Sequence, residues 1–158
     1  MAPVILVALQ LVAPIRLSGQ AVTATVAGDW DLSVRDPAVV AAAMVDIDRV
    51  VAARPLRYGL RVAGWVPSRS DSLLPPAVAA FVGARIRVTG PLYSRGGIGV
   101  LGRRNPGPGL EVSLAWMGEL TLRFLTIQRV PLFLGLRTIS DHRGRNLIGV
   151  VVAADLGS

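Results

Sequence analysis

The sequence predicts a mainly β protein, at the margin of the α+β class. The expected architecture is an antiparallel β-sandwich or partly closed barrel of about eight to ten short strands with one principal α-helix. Hydrophobic residues make up 52% of the 158 residues and aromatic residues only 5%, so branched aliphatic side chains that favour strands dominate. Many short segments alternate apolar and polar residues, whereas residues 37–53 show helical spacing. We expect residues 1–158 to form a single β-rich domain.

The N-terminal segment Met1–Ile15 carries no charge. It is too short for a membrane-spanning helix and is interrupted by proline. It also lacks the positively charged start of a secretory signal peptide. We therefore expect a buried strand over Val4–Val12, with a signal or membrane anchor as the alternative. Strands on either side of a turn at Gly28-Asp29 should follow.

The helix is predicted from its ends and from its apolar spacing. Asp36 is a favourable N-cap, and Pro37 fits the first helical position. Pro55 cannot continue a helix and sets its end. Apolar residues recur at intervals of three and four, as on one face of a helix. That face contains Val40, Met44, Ile47 and Val51.

The predicted helix has too few charged residues for the surface of a monomer. Between Pro37 and Ala53 only Asp46, Asp48 and Arg49 are charged, and a surface helix normally has a broader polar stripe. A neighbouring subunit or a cavity should therefore cover part of it, unless alanines simply face water. The candidate interface or cavity residues are Val39, Val40, Met44, Ile47, Val50 and Val51.

The remainder of the chain alternates between strands and polar connections. Residues 91–109 are rich in glycine and proline and basic, which predicts an exposed loop or arm. A hairpin is expected across the polar turn Ser140–Arg145. Further strands are predicted over Leu56–Val66, Arg85–Thr89, Pro131–Ile139 and Asn146–Ala153, and from Leu110 onward.

The charge is concentrated in one region. All 17 basic residues are arginine, and the formal net charge is +7. Residues 72–110 contain five arginines and no acid, so they could contact nucleic-acid phosphates without reading sequence or bind other anionic surfaces. A loop that only keeps the protein soluble is the alternative. The candidate contacts are Arg85, Arg87, Arg95, Arg103 and Arg104.

One motif resembles a cofactor site by its letters alone. Residues 97–102, GIGVLG, match the dinucleotide-binding pattern G-x-G-x-x-G. That pattern requires a helix directly afterwards to receive the pyrophosphate. The sequence RRNPGPG follows instead and cannot start a helix. We therefore expect no cofactor.

Residues suited to catalysis or metal binding are scarce. The chain has no cysteine and one histidine, His142, which lies in the predicted polar turn. Asp46 and Asp48 would lie about 200° apart on a helix and could not chelate one ion. We therefore predict no catalytic residues and no metal site, and we expect the protein not to be an enzyme.

These observations favour a non-enzymatic structural subunit of a homo-oligomeric assembly, including a virion-type subunit of a capsid or tail. The first alternative is a protein that binds lipid or another apolar small molecule. A weaker alternative is a nucleic-acid-binding module without sequence specificity. The expected partners are copies of the same chain, with nucleic acid, anionic surfaces or an apolar ligand as further options. Without a convincing signal peptide or transmembrane helix, we expect a location in the cytoplasm or within an assembled particle.

Overall fold

The computed structural model describes residues 20–32, 39–50, 56–67, 77–104 and 109–156. These residues form eight antiparallel strands, each paired with the next in sequence, and β8 pairs with β1 to close a barrel. Closure satisfies the hydrogen bonds of every strand edge within the barrel itself. The strands are β1 Gln20–Asp31, β2 Val39–Val50, β3 Leu56–Pro67, β4 Ala77–Thr89, β5 Leu92–Arg104, β6 Leu110–Ile127, β7 Val130–Asp141 and β8 Asn146–Asp155.

The prediction of a mainly β protein is confirmed, and the barrel option is the right one, although the barrel is fully closed. The β-sandwich is wrong because all eight strands belong to one continuous sheet. The principal helix over residues 37–53 is also wrong, because its described part is strand β2. The predicted strand Val4–Val12 lies outside the described residues.

Strand β2 shows why helical spacing is misleading here. Val40, Ala42 and Met44 point inward and are buried, while the residues between them are exposed. Alanine and valine occupy both faces, so spacings of three or four can be found in a segment whose true period is two. Asp46 and Asp48 are both buried, which places them on the same face, as a strand requires.

The predicted loop or arm at residues 91–109 is corrected to strand β5 over most of its length. Its glycines allow close contact with β4 rather than mobility. A Cβ at Gly99 would collide with the carbonyl oxygen of Ala80 and lie 2.7 Å from the Cα of Phe81. Phe81 stands opposite Gly99 in the ladder, so a large inward side chain occupies the space beside a residue without one.

The two ends of the barrel differ in their connections. At one end, called the turn end, β2 and β3 join through residues 51–55, β4 and β5 through residues 90–91, and β6 and β7 through residues 128–129. At the opposite end, called the loop end, the connections are residues 32–38, 68–76, 105–109 and 142–145. The chain direction reverses from each strand to the next. The start of β1 and the end of β8 therefore both lie at the turn end.

The interior is divided along the barrel axis. Towards the loop end it holds a buried apolar cluster that includes Met44, Trp65, Phe81, Leu101 and Ile139. Towards the turn end it holds charged side chains, which are described below. The core of this barrel is therefore the filled lumen.

Candidate functional site: a charged network in the barrel lumen

Arg61 on β3 is the centre of the lumen network. It is 2% exposed. Its Nε and Nη2 donate to the two carboxylate oxygens of Asp46 at 2.5 and 2.8 Å, and its Nη1 donates to Oε2 of Glu119 at 2.5 Å. One guanidinium therefore links β3 to β2 beside it and to β6 across the lumen. Bidentate, charge-assisted pairs of this kind are strong and geometrically specific.

Arg95 on β5 extends the network. Its Nη1 lies 2.7 Å from Oδ1 of Asp46, and its Nη2 donates to Oδ1 of Asp48. The Nη1 contact is close but lacks hydrogen-bond geometry. The Nε and Nη1 of Arg95 and the Oδ2 of Asp48 have no hydrogen-bond partner within the described residues. This part of the lumen therefore has polar atoms that ordered water would satisfy.

A second ion pair crosses the lumen nearer its middle. Arg137 on β7 binds Asp29 on β1 through Nε at 2.9 Å and also through Nη2, and its Nη1 contacts the sulfur of Met44. Trp65 donates its indole N–H to Oδ2 of Asp29 at 2.7 Å. Asp29 and Arg137 are both nearly inaccessible, so the charges are paired where water cannot screen them.

The turn end of the lumen holds two further arginines. Arg57 donates to Asp155 at 2.6 Å. Arg85 lies over the rings of Tyr93 and Phe133, at 4.7 and 4.2 Å from the ring centres. Within the described residues Arg85 forms no ion pair, so these aromatic faces are its closest favourable contacts.

The inward charges balance and link most of the strands to one another. Five arginines and five acids occupy this part of the lumen, which makes it neutral overall. Pairing offsets the cost of removing each charge from water. The arginines are Arg57, Arg61, Arg85, Arg95 and Arg137, and the acids are Asp29, Asp46, Asp48, Glu119 and Asp155.

The predicted anion contacts are distributed over different places. Arg85 and Arg95 are buried in the lumen, and Arg87 is exposed at the turn end, where its Nε donates to the carbonyl of Gly90. Arg103 lines a small cavity at the loop end. The side chain of Arg104 lies outside the description. The structure therefore brings only Arg85 and Arg95 close together, and both face inward.

The predicted apolar interface residues are also divided. Val40 and Met44 are buried in the lumen, and Val40 lines the loop-end cavity. Val39 and Ile47 are on the outer surface, 42% and 38% exposed. The side chain of Val50 and all of Val51 lie outside the description. A single interface containing all six residues does not form, because alternate residues of a strand face opposite sides.

Sequence reasoning missed most of the network, although a signal was present. Acids and arginines recur two residues apart within apolar segments, as in Asp29 and Asp31, or Asp46 and Asp48. In a soluble protein this alternation would put the charges outside. In the described part of the chain all eight acidic residues instead face the interior, so the polarity of the barrel is reversed.

The outer surface of the barrel is correspondingly apolar. All eight strands contribute exposed large hydrophobic side chains, such as Val82 at 66%, Ile98 at 74% and Leu136 at 59%. Among the described outward positions only Arg49, at the turn end of β2, is charged. A continuous apolar belt of this size far exceeds what a soluble monomer leaves exposed.

The class defined by these features is an eight-stranded, closed antiparallel barrel with a charged lumen and an apolar exterior. No protein-family model and no curated protein matches the chain. No helix in the described ranges has the length and apolar character needed to cross a bilayer.

Three solved structures share this fold. The crystal structure of Neisserial surface protein A matches with a TM-score of 0.67 and 12% identity, over 87% of this chain and 96% of that chain. The N-terminal β-barrel domain of Pseudomonas aeruginosa OprF matches with a TM-score of 0.58 and 10% identity, over 86% and 97%. Ail, the attachment invasion locus protein of Yersinia pestis, matches with a TM-score of 0.54 and 11% identity, over 88% and 98%. None of the three is named as an enzyme.

The comparisons and the barrel geometry overturn the predicted function. A structural subunit of a particle, capsid or tail is wrong, because the chain has the fold of these barrels and its strands close upon themselves. The two alternatives are wrong in the form predicted, because each depended on an element that the structure replaces with a strand. The helix expected to close a lipid cavity is β2, and the arm expected to reach nucleic acid is largely β5. The predicted self-association remains a prediction.

The predicted location is corrected as well. A place in the cytoplasm or inside an assembled particle does not fit an outward apolar belt on the fold of a protein named as a surface protein. The prediction relied on the absence of a transmembrane helix. The apolar residues of this chain are instead distributed at every second position over eight strands.

Proposed function

We propose that this chain is an outer-membrane-type β-barrel that spans a bilayer with a filled lumen. The main observation behind this proposal is that the closed barrel has an apolar belt outside and charged residues at its inward positions. In a bilayer every backbone hydrogen bond must be satisfied within the protein, and closed barrels achieve this. An outward apolar band with a polar interior is the pattern of transmembrane barrels.

The dimensions support the same proposal. Most strands have 12 or 13 residues. At ~3.3 Å per residue a 12-residue strand is about 40 Å long, and a tilt of ~40° reduces its height to roughly 30 Å. This height corresponds to the ~30 Å hydrocarbon thickness of a bilayer.

The lumen supports a role other than that of an open pore. Eight strands enclose an interior that side chains can fill. Arg61, Phe81 and Arg137 are at most 3% exposed, so side chains occupy successive levels of the axis. We infer that the barrel serves as a rigid anchor for its loop-end connections rather than as a channel.

Connection lengths support an orientation. Transmembrane barrels of this type have short periplasmic turns and longer extracellular loops. We therefore propose that the loop end lies outside the cell and the turn end in the periplasm. Arg49, Arg87, Arg123 and Arg129 are exposed at the turn end, where they would lie close to the phosphates of lipid headgroups. Two of the similar structures are named as a surface protein and an attachment invasion locus protein, and we propose a surface role here on that likeness.

Fluorescence quenching by lipids brominated on their acyl chains tests the bilayer position. The three tryptophans provide an internal comparison, because Trp30 and Trp116 face outward, 40% and 49% exposed, while Trp65 faces the lumen, 5% exposed. Single-tryptophan variants, made by Trp→Phe at the other two positions, would be refolded into vesicles. We expect strong quenching of Trp116, intermediate quenching of Trp30 near the loop end, and little quenching of Trp65.

Equal quenching at all three positions would contradict the proposed barrel orientation of these side chains. Folding in buffer without lipid or detergent, with no quenching of any variant, would contradict the membrane proposal itself. Vesicles of unbrominated lipid are the control for changes in fluorescence that come from folding alone.

Cysteine labelling tests the orientation, and the absence of cysteine from the chain makes it clean. His142 is exposed at the loop end and Thr126 at the turn end. In a Gram-negative host that exports the chain, a membrane-impermeant maleimide should label the His142→Cys variant on intact cells. The Thr126→Cys variant should be labelled only after the outer membrane is permeabilised. The reverse pattern would show that the barrel is inserted the other way round.

A further inference from the structure

The loop end of the lumen contains a small cavity that the proposed anchoring role does not use. Its volume is about 50 Å³. A water molecule needs about 10–15 Å³ of cavity volume, so roughly four water molecules fit. Its wall includes Val40, Trp65, Leu101 and Ile139 of the apolar cluster. A ligand of a few non-hydrogen atoms is the largest that fits without movement.

Among the described residues, four charged ones line this cavity: Asp31, Asp141, Arg103 and Arg145. Three of them already have partners. The carboxylate of Asp141 accepts from the hydroxyl of Ser113 at 3.1 Å and from the backbone N–H groups of residues 143 and 145 at 2.9 and 3.0 Å. Arg145 pairs with Glu111 through two contacts of 3.2 Å. Asp31 takes part in an interaction of its own.

Arg103 is different. Within the described residues its guanidinium forms no hydrogen bond and no ion pair of 4 Å or less, and its Nε is buried without a partner. A buried donor that lacks an acceptor is costly. A ligand that supplies an anionic oxygen would remove this cost, so the cavity should prefer an anion to a cation.

The other described residues of the wall are apolar. Val40, Trp65, Leu101, Ile139 and Leu147 line it, and the first four of these are buried residues. A ligand with one charged end and a short hydrocarbon part therefore matches the cavity better than a fully hydrated inorganic ion. Pockets of this composition use a few polar groups for orientation and apolar contacts for the rest of the ligand.

We propose that the loop-end cavity binds a short-chain carboxylate of about two or three carbons, with Arg103 pairing with the carboxylate and the apolar wall contacting the hydrocarbon part. The planar guanidinium matches a carboxylate in geometry. The site depends on the barrel fold and not on bilayer insertion. Its test can therefore fail while the membrane proposal stands, and the reverse also holds.

NMR of the tryptophan indole N–H groups in detergent micelles tests this proposal with the intact chain. Trp65 lines the cavity, and Trp30 and Trp116 on the outer surface report any general effect on the micelle. Sodium propionate would be added against sodium chloride at the same ionic strength, and 1-propanol in parallel. We expect a saturable shift of the Trp65 signal with propionate alone.

Variants assign the effect to Arg103. Arg103→Gln should weaken propionate binding by about tenfold or more, because a charge-assisted pair is lost. Arg103→Lys should stay within a few-fold of the unmodified chain. Arg87→Gln is the matched control, since Arg87 is exposed at the opposite end, and it should leave binding unchanged.

Three results would overturn the proposal. Trp65 could stay unmoved at 100 mM propionate, or all three indole signals could move together. An equal response to 1-propanol that persists in Arg103→Gln would show an apolar site without anion selectivity. If Arg103→Gln does not fold, the comparison of propionate with 1-propanol in the unmodified chain still decides the outcome.

Discussion

Replacement of Arg61 by alanine is expected to lower the free energy of unfolding by about 3–5 kcal/mol, because it leaves buried carboxylates without their cation. Arg61 makes hydrogen bonds of 2.5 and 2.8 Å to Asp46 and of 2.5 Å to Glu119. Asp46 would keep its contact with Arg95. No other ion pair to Glu119 occurs within the described residues, so its buried charge would account for most of the loss. The measurement is urea unfolding of the barrel in lipid vesicles.

The same experiment contains its own controls. Arg87→Ala removes an exposed arginine and should change the free energy of unfolding by no more than about 0.5 kcal/mol. Adding Glu119→Gln to Arg61→Ala removes the uncompensated charge and should recover part of the lost stability, which a double-mutant cycle would quantify. If Arg61→Ala proves as mild as Arg87→Ala, the lumen is hydrated enough to screen these charges, and the buried network described above is incorrect.

An arginine introduced at the middle of the apolar belt should destabilise the inserted barrel by about 2–4 kcal/mol. Leu136 is suited to this test, because it is 59% exposed and lies between the outward residues Leu120 and Val150 on the neighbouring strands. In water, Leu136→Arg at so exposed a position would be harmless or would improve solubility. In a bilayer, the charge must be placed in hydrocarbon, so the sign of the effect separates the two environments.

The destabilisation caused by an introduced arginine should depend on its depth in the bilayer, which makes this prediction specific. Ile127 is the last residue of β6 at the turn end and is 51% exposed. Ile127→Arg should cost only about 0–1 kcal/mol near the interface. The measurement is again urea unfolding in vesicles, with both variants compared with the unmodified chain. A cost that is the same at both positions, or no cost at either, would argue against a belt that follows the thickness of a bilayer.

Several incorrect predictions rested on real features of the sequence that have a different structural cause. The chain does carry more apolar surface than a soluble monomer needs, and the structure places it on the outside of the barrel. We propose that lipid covers this surface, where the sequence had suggested a second subunit. Residues 37–53 failed as a helix because alanines on both faces hide a period of two. The stretch GIGVLG is neither a phosphate-binding loop nor an arm, since Gly99 lies in β5 where a Cβ would strike the backbone of β4.

The charged residues illustrate how far the pattern could lead. The spacing of Asp46 and Asp48 fits a strand with both side chains on one face, and recognising this would have predicted β2. It would not have predicted their partners. Arg61 and Glu119 are 58 residues apart, and Arg137 and Asp29 are 108 apart. Pairs at such distances depend on barrel closure and strand register, which local composition does not encode.

The sequence by itself determined the β-rich class, the excess of apolar residues, the absence of cysteine and the alternation of charges with hydrophobic residues, because these are properties of composition and of short-range period. Tertiary structure decided which face is inside. Closure of β8 on β1 turns one set of alternate residues into a confined lumen, where arginines and acids pair, and leaves the other set facing outward. The same alternation would suit a soluble barrel with the opposite polarity. Only the closed fold, which has room inside for the arginines and acids of the lumen network and not for the whole apolar set, resolves that choice.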